Sequence, residues 1–120
     1  MKILVTDDSK MARKMVIKIL NDVLNENVEV FEGQNGQEAF DLYKEHLPEI
    51  VFLDLTMPVM NGFEALSKIK EFDKNAKVVI ISADIQKLSM DKALQLGAFN
   101  FIKKPIDLEK MQQILSKINE

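Results

Sequence analysis

Five short apolar runs alternate with five amphipathic stretches along this chain, and the alternation limits the folds open to it. Short apolar runs are typical of buried strands, whereas apolar residues recurring every three or four positions are typical of helices. Strands and helices that alternate in this way form a mostly parallel sheet with helices packed against it. We therefore predict an α/β fold, a doubly wound five-stranded parallel sheet of flavodoxin-like (βα)5 topology.

No low-complexity linker separates these segments, so we expect one domain over residues 1–120. The predicted strands cover residues 2–6, 28–32, 49–53, 77–82 and 99–103. The predicted helices cover residues 10–24, 36–46, 62–72, 85–96 and 108–119. Ser9 and Asp107 are expected to cap the first and last helices, and Gly97 to adopt a left-handed conformation after the fourth.

The composition of the strands predicts their order. The first, third and fourth runs are continuously apolar, as in residues 78–81 (VVII), which is typical of strands covered on both faces. The second and fifth alternate, as in residues 28–30 (VEV), which favours edge positions. The predicted order is therefore 2-1-3-4-5. Ligands bind such sheets at the carboxyl ends of the strands where the order reverses, so we expect a site just after Thr6 and Leu53.

Composition argues against several classes of protein. The chain has no cysteine, which excludes disulfides, thiolate nucleophiles and cysteine zinc sites. A net charge of −3 with both signs interspersed predicts neither a nucleic-acid nor a membrane partner. The apolar runs are far shorter than the roughly 20 residues that span a bilayer. Because Asp7 and Asp8 interrupt the N-terminal run, we expect no signal peptide and a cytoplasmic location.

Three carboxylates follow the two strands that meet at the predicted reversal. Asp7 and Asp8 come after the first strand, and Asp54 comes after the third. Clustered negative charges are costly unless a cation neutralises them, and a few hard oxygen ligands suit Mg²⁺, with Mn²⁺ as a substitute. Taken alone, such a cluster is also compatible with helix caps and solvated turns.

Two further strand ends add a hydroxyl and an ammonium at the same edge. Ser82 ends the fourth predicted strand, and Lys103 and Lys104 follow the fifth. A carboxylate nucleophile, a cation, a lysine and a hydroxyl are what phosphoryl transfer requires. Their convergence at adjacent strand ends favours phosphoryl chemistry, although sequence alone does not separate the two lysines.

These motifs resemble the receiver domain of two-component response regulators, in its stand-alone, CheY-like form, over essentially the whole chain. The matching segments are residues 5–9 (VTDDS), 52–62 (FLDLTMPVMNG), 80–83 (IISA) and 101–105 (FIKKP). The resemblance implies that Asp54 accepts a phosphoryl group from the phosphohistidine of a sensor histidine kinase or phosphotransfer protein. It also implies a signalling protein that catalyses only its own phosphorylation and dephosphorylation, and is not otherwise an enzyme.

The same resemblance implies a metal site and two residues that adjust the lifetime of the phosphoryl group. Asp8 and Asp54 would bind Mg²⁺ directly, with the backbone carbonyl of Thr56 as a third ligand. Asp7 would act mostly through water. Thr56 and Asp84, each two residues beyond a reactive position, are expected to influence how long the phosphoryl group survives.

The resemblance further implies a two-state switch. Lys104, the lysine before Pro105, would contact the phosphoryl group, which selects it over Lys103, and the bond to the proline is typically cis in this family. Ser82 would hydrogen-bond a phosphoryl oxygen, and Phe101 would turn into the space that Ser82 leaves. A downstream protein would then dock on the face formed by the fourth helix, fifth strand and fifth helix.

Other functions match parts of the pattern. An aspartate-nucleophile phosphohydrolase similar to the haloacid dehalogenase group would carry a second aspartate two residues after the first, where Thr56 stands here. A flavin or nucleotide carrier would need a glycine-rich phosphate loop, which this sequence lacks. A receiver-like module that binds partners without being phosphorylated is the other alternative, although every reactive position is filled.

The partners follow from the same comparison. A kinase is expected to contact the first helix around Met11, Lys14 and Met15. Because no DNA-binding or catalytic segment follows Glu120, output is expected through docking to another protein, in chemotaxis or in a phosphorelay. A monomer is the expected state.

Overall fold

The computed structural model describes residues 1–24 and 28–118, in which each strand is followed by a helix. The strands are β1 Lys2–Thr6, β2 Glu29–Gly33, β3 Ile50–Leu53, β4 Val78–Ser82 and β5 Asn100–Lys103. The helices are α1 Lys10–Val23, α2 Gly36–His46, α3 Gly62–Phe72, α4 Lys87–Gln95 and α5 Leu108–Ile118. The strands form one parallel sheet in the order β2-β1-β3-β4-β5. The predicted fold class and strand order are therefore confirmed.

Both faces of the sheet are covered, which explains the continuously apolar central strands. Successive residues of a strand point to opposite faces. Ile3 and Val5 pack toward α1 and α5, whereas Leu4 packs toward α2, α3 and α4. One face buries Phe52, Val79 and Ile81 with Leu20 and Met111, and the other buries Val51, Leu53 and Ile80 with Ala39, Leu66 and Ala93.

The register of the sheet aligns the strand ends that carry polar residues. Thr6 pairs with Leu53 between β1 and β3, and Ser82 pairs with Lys103 between β4 and β5. Hydrogen bonding continues one residue further, because Asp54 N–H donates to the Thr6 carbonyl at 3.0 Å and Lys104 N–H donates to the Ser82 carbonyl at 2.9 Å. The sheet thus places Asp54 and Lys104 along the same edge.

The predicted helix ends are confirmed at three places. The Ser9 hydroxyl accepts the Ala12 N–H at 3.2 Å, and Asp107 Oδ1 accepts the Lys110 N–H at 2.8 Å. Gly97 follows α4 with a φ of 102°. The last predicted position of the fifth helix, residue 119, lies outside the described residues.

The fourth helix starts later than predicted, at Lys87 rather than at residue 85. The Asp84 carboxylate accepts the Gln86 N–H at 3.0 Å and the Ser89 hydroxyl at 2.7 Å. An aspartate that bonds the backbone two residues ahead forms a turn that competes with the helix. Ile85 is therefore excluded from the helix and is 48% exposed.

Over the part of the chain that the structure describes, we find no helix with the length and apolar character of a membrane span.

Candidate functional site

Three aspartates meet at the carboxyl edge of the sheet. Asp7 and Asp8 follow β1 and Asp54 follows β3, and one carboxylate oxygen from each lies within 4.8 Å of the others. Asp7 and Asp54 are buried, whereas Asp8 is exposed. Hard oxygen donors with one side open to solvent fit a small divalent cation that keeps part of its water shell. The structure thus brings together the carboxylates that the sequence predicted to converge.

Lys104 lies between two of these carboxylates. Its Nζ is 2.8 Å from Asp7 Oδ2 and 3.3 Å from Asp54 Oδ1. Lys103 is exposed and is the last residue of β5, so the structure distinguishes the two adjacent lysines. The peptide bond between Lys104 and Pro105 is cis, as the family resemblance implied.

Burial and charge shift the ionisation of this pair. Burial raises the pKa of the Asp54 carboxyl above its ordinary value, the ammonium of Lys104 opposes that rise, and the Asp7 charge adds to it. Burial alone would lower the pKa of Lys104. The hydrogen bond to Asp7 and the charge of Asp54 outweigh burial, so the pKa of Lys104 is raised and the ammonium form is favoured.

Asp7 is held by both its backbone and its side chain. The Ser9 N–H donates to Asp7 Oδ1 at 2.9 Å, while Lys104 donates to Oδ2. The Asp7 N–H donates to the Gly33 carbonyl at 3.1 Å, and Arg13 Nη1 donates to the Asp7 carbonyl at 2.6 Å. The carboxylate is therefore fixed in direction before any ligand binds.

Arg13 contacts the backbone of Asp7 and was not predicted from the sequence as part of the site. It lies on α1, three residues before Val16 and seven before Leu20, on the face of the helix that is buried. An arginine within an apolar stripe was the signal that could have identified it, because such positions otherwise hold apolar side chains. Its ion-pair partner on β2, Glu32, whose Oε1 accepts from Arg13 Nε at 2.9 Å, could not be identified from that stripe.

The remaining predicted residues lie on β4, on β5 and in the loop between β3 and α3. Ser82 is buried at the end of β4, where its hydroxyl accepts the Asp84 N–H at 3.0 Å. Phe101 on β5 is partly buried against the core. Thr56 is exposed in the loop between β3 and α3.

Close backbone contacts shape the loop between β3 and α3. A Cβ atom at Gly36 would lie 2.3 Å from the Met60 carbonyl oxygen, to which the Gly36 N–H donates at 2.9 Å. Next to Met60, Val59 has a φ of 66° and is 82% exposed. The Met60 N–H donates to the Pro58 carbonyl at 2.7 Å, which closes a tight γ-turn around Val59. A β-branched residue with positive φ is strained.

An apolar cavity of about 90 Å³ adjoins the carboxyl edge of the sheet. It lies between α1 and the segment that follows β5, beside Asp54 and Lys104. Its apolar lining includes Ala12, Met15, Val16, Phe52, Ile81 and Ile106. The edge that holds the polar cluster is therefore continuous with an apolar surface of α1.

Comparisons with known proteins agree with this geometry. Residues 3–116 match the family model described as "Response regulator receiver domain". The chain is 39% identical over 116 residues to "Chemotaxis protein CheY" of Bacillus subtilis (strain 168), covering 97% of this chain and 95% of that protein. It is 38% identical over 117 residues to "Protein CcdB" of the same organism, covering 98% and 96%. A solved structure described as a CheX-CheY-BeF3-Mg+2 complex from Borrelia burgdorferi superposes with a TM-score of 0.91 at 37% identity, covering 99% of this chain and 89% of that chain.

Proposed function

Because the chain belongs to the family of response regulator receiver domains, we propose that it accepts a phosphoryl group on Asp54 and signals in that state by docking to another protein. We place one receiver domain over residues 1–120. The observation that carries the proposal is the contact of Lys104 Nζ with the Asp54 carboxylate within a cluster of three aspartates.

Asp54 is the nucleophile in this proposal. One of its carboxylate oxygens attacks phosphorus in line with the P–N bond of a phosphohistidine. The O–P bond forms as the P–N bond breaks, and the electron pair returns to the imidazole nitrogen, which takes up a proton. The Lys104 ammonium, 3.3 Å from Asp54 Oδ1, neutralises negative charge on the transferred oxygens.

The acidic cluster would hold Mg²⁺, or Mn²⁺ in its place. Asp8 and Asp54 would be direct ligands, joined by the backbone carbonyl of Thr56, and Asp7 would act mostly through water. When bound, the ion supplies positive charge that stabilises the phosphoryl oxygens during transfer. The support for this assignment is the hard-oxygen donor set and its opening to solvent at Asp8.

Ser82 and Phe101 would convert phosphorylation into a change of surface. The Ser82 hydroxyl accepts the Asp84 N–H and keeps its own proton free to donate to a phosphoryl oxygen. Phe101, partly buried on the neighbouring strand, would then move into the vacated space. The output face would be formed by α4, β5 and α5, and Leu88, which is 82% exposed on α4, would be part of it. Thr56 and Asp84 would adjust the lifetime of the phosphoryl group.

The phosphoryl donor would approach over α1. Met11 is 71% exposed, and Met15 lines the apolar cavity beside Asp54. These side chains, with Lys14 between them, give a sensor kinase or phosphotransfer protein an apolar surface next to the acceptor. Because the relatives include "Chemotaxis protein CheY", we propose chemotaxis as the pathway, with a phosphorelay as the alternative. A monomer in the cytoplasm, without nucleic-acid or membrane partners, stays a prediction.

The test is the intact mass of the protein after incubation with acetyl phosphate and Mg²⁺. We expect a phosphoryl adduct that is absent without metal and absent in Asp54→Asn. Asp41→Asn, which changes an exposed aspartate on α2, should label like the wild type. An adduct that persists in Asp54→Asn would contradict the assignment of the acceptor.

A wild-type chain that stays unlabelled, while Bacillus subtilis CheY is labelled under the same conditions, would leave two explanations. Binding of beryllofluoride with Mg²⁺ separates them. A chain that binds beryllofluoride has an intact acceptor and loses its phosphoryl group quickly. A chain that does not bind it is a receiver-like binding module that is not phosphorylated.

A further inference from the structure

Arg13 carries a buried positive charge that the phosphoryl chemistry does not use directly. The residue is only 7% exposed and lies in the first half of α1. Arginine is almost never buried unless it is paired, and a cation near the start of a helix is also disfavoured by the helix dipole. Its position therefore requires specific partners.

Those partners come from two other parts of the fold. Arg13 Nη1 donates to the Asp7 carbonyl oxygen at 2.6 Å, and Nε donates to Glu32 Oε1 at 2.9 Å. The Arg13 side chain is 8% exposed and the Glu32 side chain 46%. The guanidinium thus links α1 to the first residue after β1 and to the end of β2.

This link fixes the peptide groups on both sides of the Asp7 Cα atom. The N–H is held by the Gly33 carbonyl of β2, and the carbonyl is held by Arg13 of α1. With its backbone held on both sides, Asp7 directs one carboxylate oxygen to the Ser9 N–H and the other to Lys104 Nζ. The direction of the Asp7 carboxylate therefore depends on a side chain that does not itself reach Asp54 within hydrogen-bonding distance.

We propose that Arg13 is a positioning residue of the acceptor site, acting through the Asp7 carbonyl with Glu32 as its counter-ion. It keeps the Asp7 carboxylate where it holds Lys104 and contributes to the cation site. This inference rests on the proposed function, because the cation site is part of that proposal. The competing interpretation is that Arg13 only fastens α1 to β2, in which case its loss would lower stability and leave the cation site intact.

The test is a titration of the whole chain with Mn²⁺, in which electron paramagnetic resonance measures the concentration of the free ion. Groups that orient direct metal ligands typically change metal affinity by 10–100-fold when they are removed. Arg13 orients Asp7, which acts mostly through water, so we expect Arg13→Gln to weaken Mn²⁺ binding by less than that range, about threefold. Arg13→Lys keeps the charge and a donor, and should bind Mn²⁺ more tightly than Arg13→Gln. Glu32→Gln, which removes only the counter-ion, should cause a smaller loss.

Leu20→Val is the matched control. Leu20 is fully buried on the same face of α1, so this change loosens the helix packing without touching Asp7. It should lower the melting temperature and leave Mn²⁺ affinity at the wild-type value.

Equal Mn²⁺ affinity in wild type and folded Arg13→Gln would overturn the inference. If Arg13→Gln does not fold, Arg13→Lys and Glu32→Gln decide, because wild-type affinity in both would overturn the inference and a graded loss would support it. A wild-type chain that binds no Mn²⁺ would overturn the proposed cation site itself. That failure is recognisable because it appears without any substitution.

Discussion

Gly62 lies so close to Asp54 that a Cβ atom on Gly62 would sit 2.1 Å from the Asp54 carbonyl oxygen. The Gly62 N–H also donates to the Leu55 carbonyl at 2.8 Å, so the start of α3 is packed directly onto the backbone of Asp54 and Leu55. The backbone position of Asp54 therefore depends on the absence of a side chain at the first residue of the next helix.

Gly62→Ala is expected to disturb both stability and the acceptor. A methyl group there meets backbone rather than a flexible side chain, so we expect a loss of about 3 kcal/mol in the free energy of unfolding. Labelling by acetyl phosphate should fall with it. Gly33→Ala is the matched control, because its Cβ would meet the Thr6 side chain at 3.1 Å and backbone only at the ordinary contact distance of 3.4 Å, to the Ala39 nitrogen, and it should cost about 1 kcal/mol. Urea unfolding measures the free energy of unfolding of both variants. Equal losses in the two would contradict a role for the close contact between Gly62 and Asp54.

Thr6→Val is expected to stabilise the protein. Thr6 Oγ1 is buried and has no hydrogen-bond partner within the described residues. A buried hydroxyl without a partner costs about 1–3 kcal/mol, and valine has nearly the same shape, so we expect a gain of about 1 kcal/mol. Thr56→Val, at an exposed threonine, should change little. A lower urea midpoint for Thr6→Val would mean that the hydroxyl is satisfied, for example by water.

Val59→Gly tests the strained turn in the loop between β3 and α3. Valine held at positive φ in this γ-turn costs about 1–3 kcal/mol, whereas glycine loses about 0.4–1 kcal/mol through greater freedom of the unfolded chain. The net expectation is a small gain in stability, with Val59→Asn between glycine and valine because asparagine tolerates positive φ. Thermal unfolding of the three proteins measures this order, and valine as the most stable of the three would contradict it.

Tyr43 and Asp73 should make stability depend on pH at both extremes. The Tyr43 hydroxyl donates to Asp73 Oδ2 at 2.8 Å, and this bond, with a further one from the Asn75 N–H, lowers the pKa of the Asp73 carboxyl below 3.8. A lowered carboxyl pKa adds stability above 3.8 that is lost as pH falls toward the folded value.

The pKa of Tyr43 shifts in the opposite direction, so its contribution to stability is lost at high pH. Burial, followed by the Asp73 bond and charge, raises the pKa of the Tyr43 hydroxyl above 10.0, so its contribution is present below that pH and is lost as pH rises beyond it. We expect the difference in unfolding free energy between wild type and Tyr43→Phe to be largest between these limits. Asp73→Asn should remove the acid side of the dependence, and a difference that is constant with pH would exclude this linkage.

The sheet and the cluster at its edge could be predicted because both follow from patterns within the sequence. Continuous apolar runs identified the central strands, and parallel strand ends necessarily share an edge. The predicted start of α4 was wrong because Asp84 accepts hydrogen bonds from Gln86 and Ser89, which form a turn that competes with the helix. Hydrophobic periodicity carries no information about such a turn. The role of Arg13 was missed because its partner Glu32 is 19 residues away and is brought near only by the packing of α1 beside β2.

Hydrogen exchange at two backbone amides can report whether the carboxyl edge of the sheet is closed. The amide protons of Asp54 and Lys104 are each bonded to a carbonyl of the adjacent strand, so exchange with deuterated solvent at these positions requires the sheet edge to open. The chain has no tryptophan and a single tyrosine, which leaves little intrinsic fluorescence to follow. Deuterium uptake at these two amides would therefore measure how firmly the edge is closed in the free, metal-loaded and phosphorylated protein, without any added label.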